Sequence, residues 1–151
     1  AESCRCPFPS VCKILWLNPC KFSFFRVMIE ENYTKERKIP MSDCIFCKII
    51  KGDIPSTKVY EDDKMIAIND VAPAAPVHVL LMPKDHTANI TTADPELVAY
   101  MLGKVKMIAE KTGIAEKGFR VVINTGDEGG QTVKHLHIHV LGGKALGWPP
   151  C

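Results

Sequence analysis

His135-Leu136-His137-Ile138-His139-Val140-Leu141 is the stretch on which the reading of this chain turns. Histidine and a branched apolar residue alternate without a break, and alternate side chains of a strand share a face. His135, His137 and His139 therefore lie on one side, with Leu136, Ile138 and Val140 packing on the other. The chain has five histidines, and three of them stand here. Imidazoles titrate near neutral pH, and protonating one disfavours protonating the next. Such a row suits two chemistries: a metal site, or nucleophilic and acid/base work at a phosphate.

Immediately upstream lies Thr125–Lys134, TGDEGGQTVK. Gly129 and Gly130 let backbone N–H groups approach an anion closely. Gln131 and Thr132 add a side-chain amide and a hydroxyl able to hold phosphate oxygens. Further outward, Lys58–Glu61 and Met65–Asn69 are short strands turned by Asp62-Asp63. Val77–Met82 is a buried strand between Pro76 and Pro83, and Phe119–Asn124 and Leu136–Leu141 are the last two. Asp94–Lys111 is the one long helix, capped by Thr92 or Asp94, with Pro95 in its first turn and Gly113 at its end. Its core stripe is Leu97, Met101, Val105 and Ile108. Cys44–Lys51 is a short helix, with Asp43 as N-cap and Gly52 and Pro55 as its stop. The order predicts an α+β fold, a five-stranded antiparallel sheet with two helices packed on it.

Charge divides the chain. Residues 1–40 carry seven basic and four acidic side chains, and residues 41–151 carry twelve and thirteen. A net charge of +2 argues against nucleic-acid binding through a basic surface. No apolar run has the length of about 18 residues that a membrane span needs. Residues 1–40 hold four of the seven cysteines and four prolines, with no clean period. They are expected to be a poorly ordered extension outside the domain, with no convincing secretory signal. The domain is assigned to residues 41–151.

Cys44-x-x-Cys47 has the spacing of a zinc ligand pair, and equally that of two ordinary thiols on a short helix. A redox role would call for a thioredoxin-like βαβ pattern, which is missing. Ile45, Phe46 and Ile49 fall on one helical face, which on pattern alone is core packing.

Residues 44–150 resemble the histidine triad family, whose mark is His-x-His-x-His-x-x with apolar residues at x. CIFCKIIKGDIPSTKVYEDD, Asn69–His78, Leu81–His86, Asn124–Thr132 and Leu141-Gly142-Gly143 resemble its nucleotide-binding Hint branch. The resemblance implies a homodimer with a continuous ten-stranded sheet, an intracellular location and hydrolysis of purine nucleoside 5′-phosphoramidates. It makes His137 the nucleophile, passing through a nucleotidyl-histidine intermediate. It places His139 against phosphate oxygens, and His135 and His78 as the partners that orient His137. It assigns Asp70 to the ribose hydroxyls, Ile45, Phe46, Ile49, Ile68 and Val71 to the base, and Asn124, Gln131 and Thr132 to the phosphate side. Trp148 belongs to a tail reaching the partner subunit's site. Catalysis needs no cofactor, but some members hold a structural zinc, which here implies Cys44, Cys47, His78 and His135. Two other roles compete. One is cleavage of dinucleoside polyphosphates, whose branch follows the triad with a Leu-Pro-Arg-like segment where this chain has Leu141-Gly142-Gly143-Lys144. The other is a nucleotide- or zinc-binding adaptor of the kind labelled protein kinase C interactors.

Overall fold

The apolar runs are short, and residues 62–64 suffice to turn the first strand back on the second. A computed structural model describes residues 43–147; the expectations for residues 1–40 and for Trp148 lie outside them. The elements are α1 (Ile45–Lys51), β1 (Lys58–Glu61), β2 (Met65–Asn69), β3 (Val77–Pro83), α2 (Pro95–Lys111), β4 (Phe119–Val122) and β5 (Ile138–Gly142). The five strands form one antiparallel sheet in the order β1-β2-β3-β5-β4. Among the described residues no helix is long and apolar enough to cross a membrane.

The register assigns the two faces. Ala67 stands opposite Leu81, Leu81 opposite Ile138, and Val79 opposite Val140. These residues are fully buried against Met101, Val105 and Ile108 of α2. The other face carries Ile66, Ile68, Leu80 and Met82, covered by Phe46 and Ile49 of α1. β2 and β3 are thus buried on both sides, which is why they lack polar alternation.

The caps are local chemistry. The Asp94 carboxylate accepts from the Glu96 N–H at 2.9 Å, and Pro95 occupies the first turn of α2. Gly52 ends α1 at φ 90°, a left-handed conformation that suits glycine. Asp43 does not cap α1. Cys44 takes that position, makes no side-chain capping bond, and turns its sulfur to His135 instead.

Two strand ends fall short of expectation. β4 stops at Val122, two residues before Asn124. β5 starts at Ile138, so His135–His137 precede the ladder. Continuing the register would set Leu136 opposite Pro83, which has no N–H to give. The alternation survives regardless. Leu136 joins the α2 core while His135 and His137 lie buried on the other side.

The β1–β2 turn is tied to α2 away from these histidines. Asp62 accepts from the Tyr100 hydroxyl at 2.7 Å and from the N–H groups of Lys64 and Met65. Burial alone would raise the Asp62 carboxyl, but these hydrogen bonds outweigh it and hold it well below the usual range. A hydrogen bond to a charged acceptor contributes about 1.5–3 kcal/mol.

Candidate active site

Two backbone carbonyls fix the tautomers of the central histidines. A carbonyl only accepts, so a ring nitrogen facing one must carry the proton. His137 Nδ1 donates to the His135 carbonyl at 2.7 Å. The neutral His137 ring then has its lone pair on Nε2. His135 Nε2 donates to the Pro83 carbonyl at 3.0 Å, which leaves its Nδ1 as the lone-pair nitrogen. Phe46 packs edge-on against both rings, with centroids 5.1 Å from His137 and 5.9 Å from His135.

A second chain of bonds runs to His139. The Ala74 N–H donates to His78 Nδ1 at 3.2 Å, so His78 carries its proton on Nε2. That nitrogen lies 2.9 Å from His139 Nδ1, which must accept. His139 is therefore protonated at Nε2, a buried atom with no protein partner. Burial first, then the neighbouring imidazoles of His137 and His78, push the His139 pKa down to about 4. Burial also lowers His78, against the opposing pull of Asp70, whose Oδ2 is 3.4 Å from Nδ1. The result is a neutral N–H donor whose proton has no hydrogen-bond partner among the described residues. The His137 and His139 rings lie 4.9 Å apart, so a nucleophilic lone pair and a hydrogen-bond donor sit side by side.

The glycine loop does a different job from the one its composition suggests. Gln131 is buried, and its amide is engaged on three sides. Nε2 donates to the carbonyls of Ala88 (2.6 Å) and Val133 (3.0 Å), while Oε1 accepts from the Gly126 N–H. The N–H groups of Gly130 and Gln131 bond to Asp127 and Gly126 within the loop. Gln131 thus ties the loop to the segment after β3, and neither its amide nor these N–H groups are free for phosphate. Glycine at 129 is steric: a Cβ there would lie 2.2 Å from the Thr125 carbonyl oxygen. Thr132 keeps its side chain at the surface, and Asn124 Nδ2 reaches the Gly130 carbonyl at 3.5 Å.

Of the expected base pocket, Phe46, Ile49 and Ile68 join one buried cluster, while Ile45 and Val71 are 48% and 94% exposed. Asp70 accepts from the Ala72 N–H at 2.8 Å through one carboxylate oxygen.

The expected metal ligands are corrected at one position. Cys44, Cys47, His86 and His135 place their ligand atoms within 4.8 Å of one another, and His78 is not among them. His135 Nδ1 lies 3.5 Å from both sulfurs, and His86 Nδ1 lies 3.3 Å from Cys47 Sγ. The reason is antiparallel geometry. His78, the second residue of β3, stands opposite Leu141 near the end of β5, whereas the segment following Pro83 runs beside His135. That register, set by pairing across a long separation, brings His86 and not His78 to the cysteines.

The donor set fits zinc. Two thiols and two imidazoles make a closed four-ligand site, and tetrahedral ligands at ordinary bond lengths stand about 3.5 Å apart. Burial, reinforced by Cys44, pushes the Cys47 thiol up to about 11, so a buried thiolate there calls for a cation. Burial pushes His135 down to about 4, leaving a neutral imidazole ready to ligate. His86 Nε2 is buried without a partner.

A family model described as the HIT domain matches residues 51–146. This chain belongs to the HIT domain family. The 14 kDa zinc-binding protein of Zea mays is 44% identical over 82% of this chain and 99% of its own length. The adenylylsulfatase HINT1 of Arabidopsis thaliana is 45% identical, over 72% of this chain and 77% of that protein. Such relatives set the chain in a Hint-like branch. Among solved structures, a HIT family hydrolase from Legionella pneumophila superposes with a TM-score of 0.70 at 44% identity. It covers 72% of this chain and all of that one. In this HIT domain all five histidines form one connected row, from His86 through His135, His137 and His139 to His78.

Proposed function

We propose that this HIT domain hydrolyses purine nucleoside 5′-phosphoramidates through a nucleotidyl-histidine intermediate. The observation that carries this reading is the pair of opposed tautomers: a lone pair on His137 Nε2 beside a free N–H on His139 Nε2. His137 Nε2 attacks phosphorus, forming an N–P bond as the bond to the amine nitrogen breaks, and that nitrogen takes a proton from solvent to leave as the neutral amine. Its Nδ1–H stays on the His135 carbonyl and stabilises the cationic ring of the intermediate. His139 donates to a non-bridging oxygen, where it is worth most as charge builds in a dry site. Water then attacks phosphorus and breaks the N–P bond, returning one proton to solvent and releasing nucleoside monophosphate and the free His137 ring. Asp70 takes the ribose hydroxyls, with Phe46, Ile49 and Ile68 behind the base and Ile45 and Val71 at its exposed rim. Asn124 and Thr132 serve the phosphate side, and Trp148 the leaving-group side.

The same histidine chemistry would serve other leaving groups. The name of the Arabidopsis relative offers sulfate, and the dinucleoside polyphosphate branch a nucleotide. Purified protein assayed with adenosine 5′-phosphoramidate, adenosine 5′-phosphosulfate and a diadenosine polyphosphate should release AMP fastest from the phosphoramidate. A faster rate on either of the others moves the substrate class. Binding of AMP without turnover of any of them returns the adaptor reading.

Zinc, held by Cys44, Cys47, His86 and His135, is structural in this proposal: four protein ligands leave no open position for catalysis. Free thiols at Cys44 and Cys47 suit the interior of a cell, where thiols stay reduced.

The functional unit is proposed to be a homodimer. β4 is a sheet edge, and Phe119 and Val121 are each 37% exposed on it, with Leu102 of α2 at 42%. Unpaired edges with apolar side chains invite pairing, and a twofold interface closes them. The stripe of Met101, Val105 and Ile108 is committed to the core, so the partner-facing side is Leu102 with the β4 edge. Light scattering should give a dimer mass for the native chain and a monomer for Val121→Lys. A native monomer at micromolar concentration would dismiss the pairing.

A further inference from the structure

Resting on the reading of His137 as nucleophile, we infer that Cys44, Cys47, His86 and His135 form a positioning device: zinc held there orients the catalytic imidazole as well as stabilising the fold. Two routes connect the cluster to His137. The first is a single residue. His135 presents Nδ1 to both sulfurs at 3.5 Å, its Nε2–H is held by the Pro83 carbonyl at 3.0 Å, and its own carbonyl accepts the His137 Nδ1–H at 2.7 Å. His135 is fully buried. Fixing its ring at both nitrogens fixes the peptide that selects the His137 tautomer, as a group bonded to a metal-bound ligand is itself held in place. The second route is α1. Phe46 stands between the two cysteines in sequence, and its ring edge meets His137 with centroids 5.1 Å apart and planes at 74°. α1 has seven residues and no side-chain N-cap bond, too short to hold itself. Docking its first turn through two thiolates is what keeps Phe46 against the nucleophile. Cys44, Cys47 and His86 therefore act through His135 and Phe46 without touching substrate.

The test compares the full chain loaded with one equivalent of zinc, the same protein stripped by chelator, and zinc-loaded Phe46→Leu, which keeps all four ligands. Nitrogen-15 NMR of the His137 ring, assigned by the signals missing from His137→Ala, reads the tautomer without substrate. Zinc-loaded protein should show one tautomer. The stripped protein and Phe46→Leu should show ring-nitrogen signals drawn together, and kcat on adenosine 5′-phosphoramidate should fall about 10–100-fold in the stripped form. Zinc-loaded Tyr100→Phe, a destabilising change remote from the cluster, should lower Tm and leave both His137 signals and kcat unchanged. Stripping that lowers Tm while the ring signals stay separate would reduce the cluster to a fold staple, and failure of the native chain to bind zinc at micromolar concentration would remove it. A single tautomer lost on stripping, in a protein that never turns over phosphoramidate, supports the coupling and overturns the substrate reading alone. If stripped protein unfolds, unchanged ring signals in Phe46→Leu refute the α1 route and with it the device as stated.

Discussion

His137→Ala is expected to lose nucleoside phosphoramidate turnover by at least about 10⁴-fold while still binding AMP within a few-fold of the native chain. The size follows from the chemistry: removing a covalent nucleophile removes the two-step path and leaves only binding and charge stabilisation behind. Binding should persist because His139 keeps its Nδ1 bond to His78, at 2.9 Å, and Asp70 is untouched. The substitution deletes a ring that packs on Phe46 in a buried setting, so some loss of stability accompanies it. Tm must therefore be measured beside kcat. A folded variant with near-native turnover would remove His137 from the mechanism. His139→Ala offers a graded comparison, a loss of about 10²–10³-fold as for a single oxyanion donor.

The second large effect separates two histidines that resemblance alone confuses. His86→Ala should abolish zinc binding and lower Tm sharply. His78→Ala should keep about one zinc per chain and lower Tm less, yet reduce turnover. His86 Nδ1 faces Cys47 Sγ at 3.3 Å, whereas His78 faces Asp70 and His139 at the far end of the row. A ligand bound only by the folded state, at a thousand times its Kd, stabilises by about 4 kcal/mol. That corresponds to roughly 15 °C in Tm for a domain of this size. Elemental analysis and thermal melts on both variants decide the matter. Zinc retained by His86→Ala and lost by His78→Ala would restore the ligand set that resemblance implied.

Much of this architecture is legible in the sequence. Lys58–Glu61 and Met65–Asn69 form as expected, and Asp94 caps α2, because strand pattern, turn and cap residues agree locally. The division of His135–Val140 into a histidine side and an apolar side is also as expected, even though the ladder begins only at Ile138. What the sequence concealed depends on pairings across long separations. Nothing local to Gln131 shows that the Ala88 carbonyl, 43 positions away, accepts a hydrogen bond from its amide. Resemblance points to His78 as a ligand, whereas the antiparallel register, which brings the segment after Pro83 beside His135, points to His86. The proton positions on His137 and His139 come from the partners of their ring nitrogens, which no sequence pattern displays.

The most direct measurement is a rapid-quench reaction of the native chain with adenosine 5′-phosphoramidate, followed by peptide mapping by mass spectrometry. A nucleophile at His137 Nε2 predicts a transient AMP adduct on the peptide containing His135–His139, localised to His137 and absent from His137→Ala. Turnover with no adduct at any time, or an adduct on another residue, would contradict it.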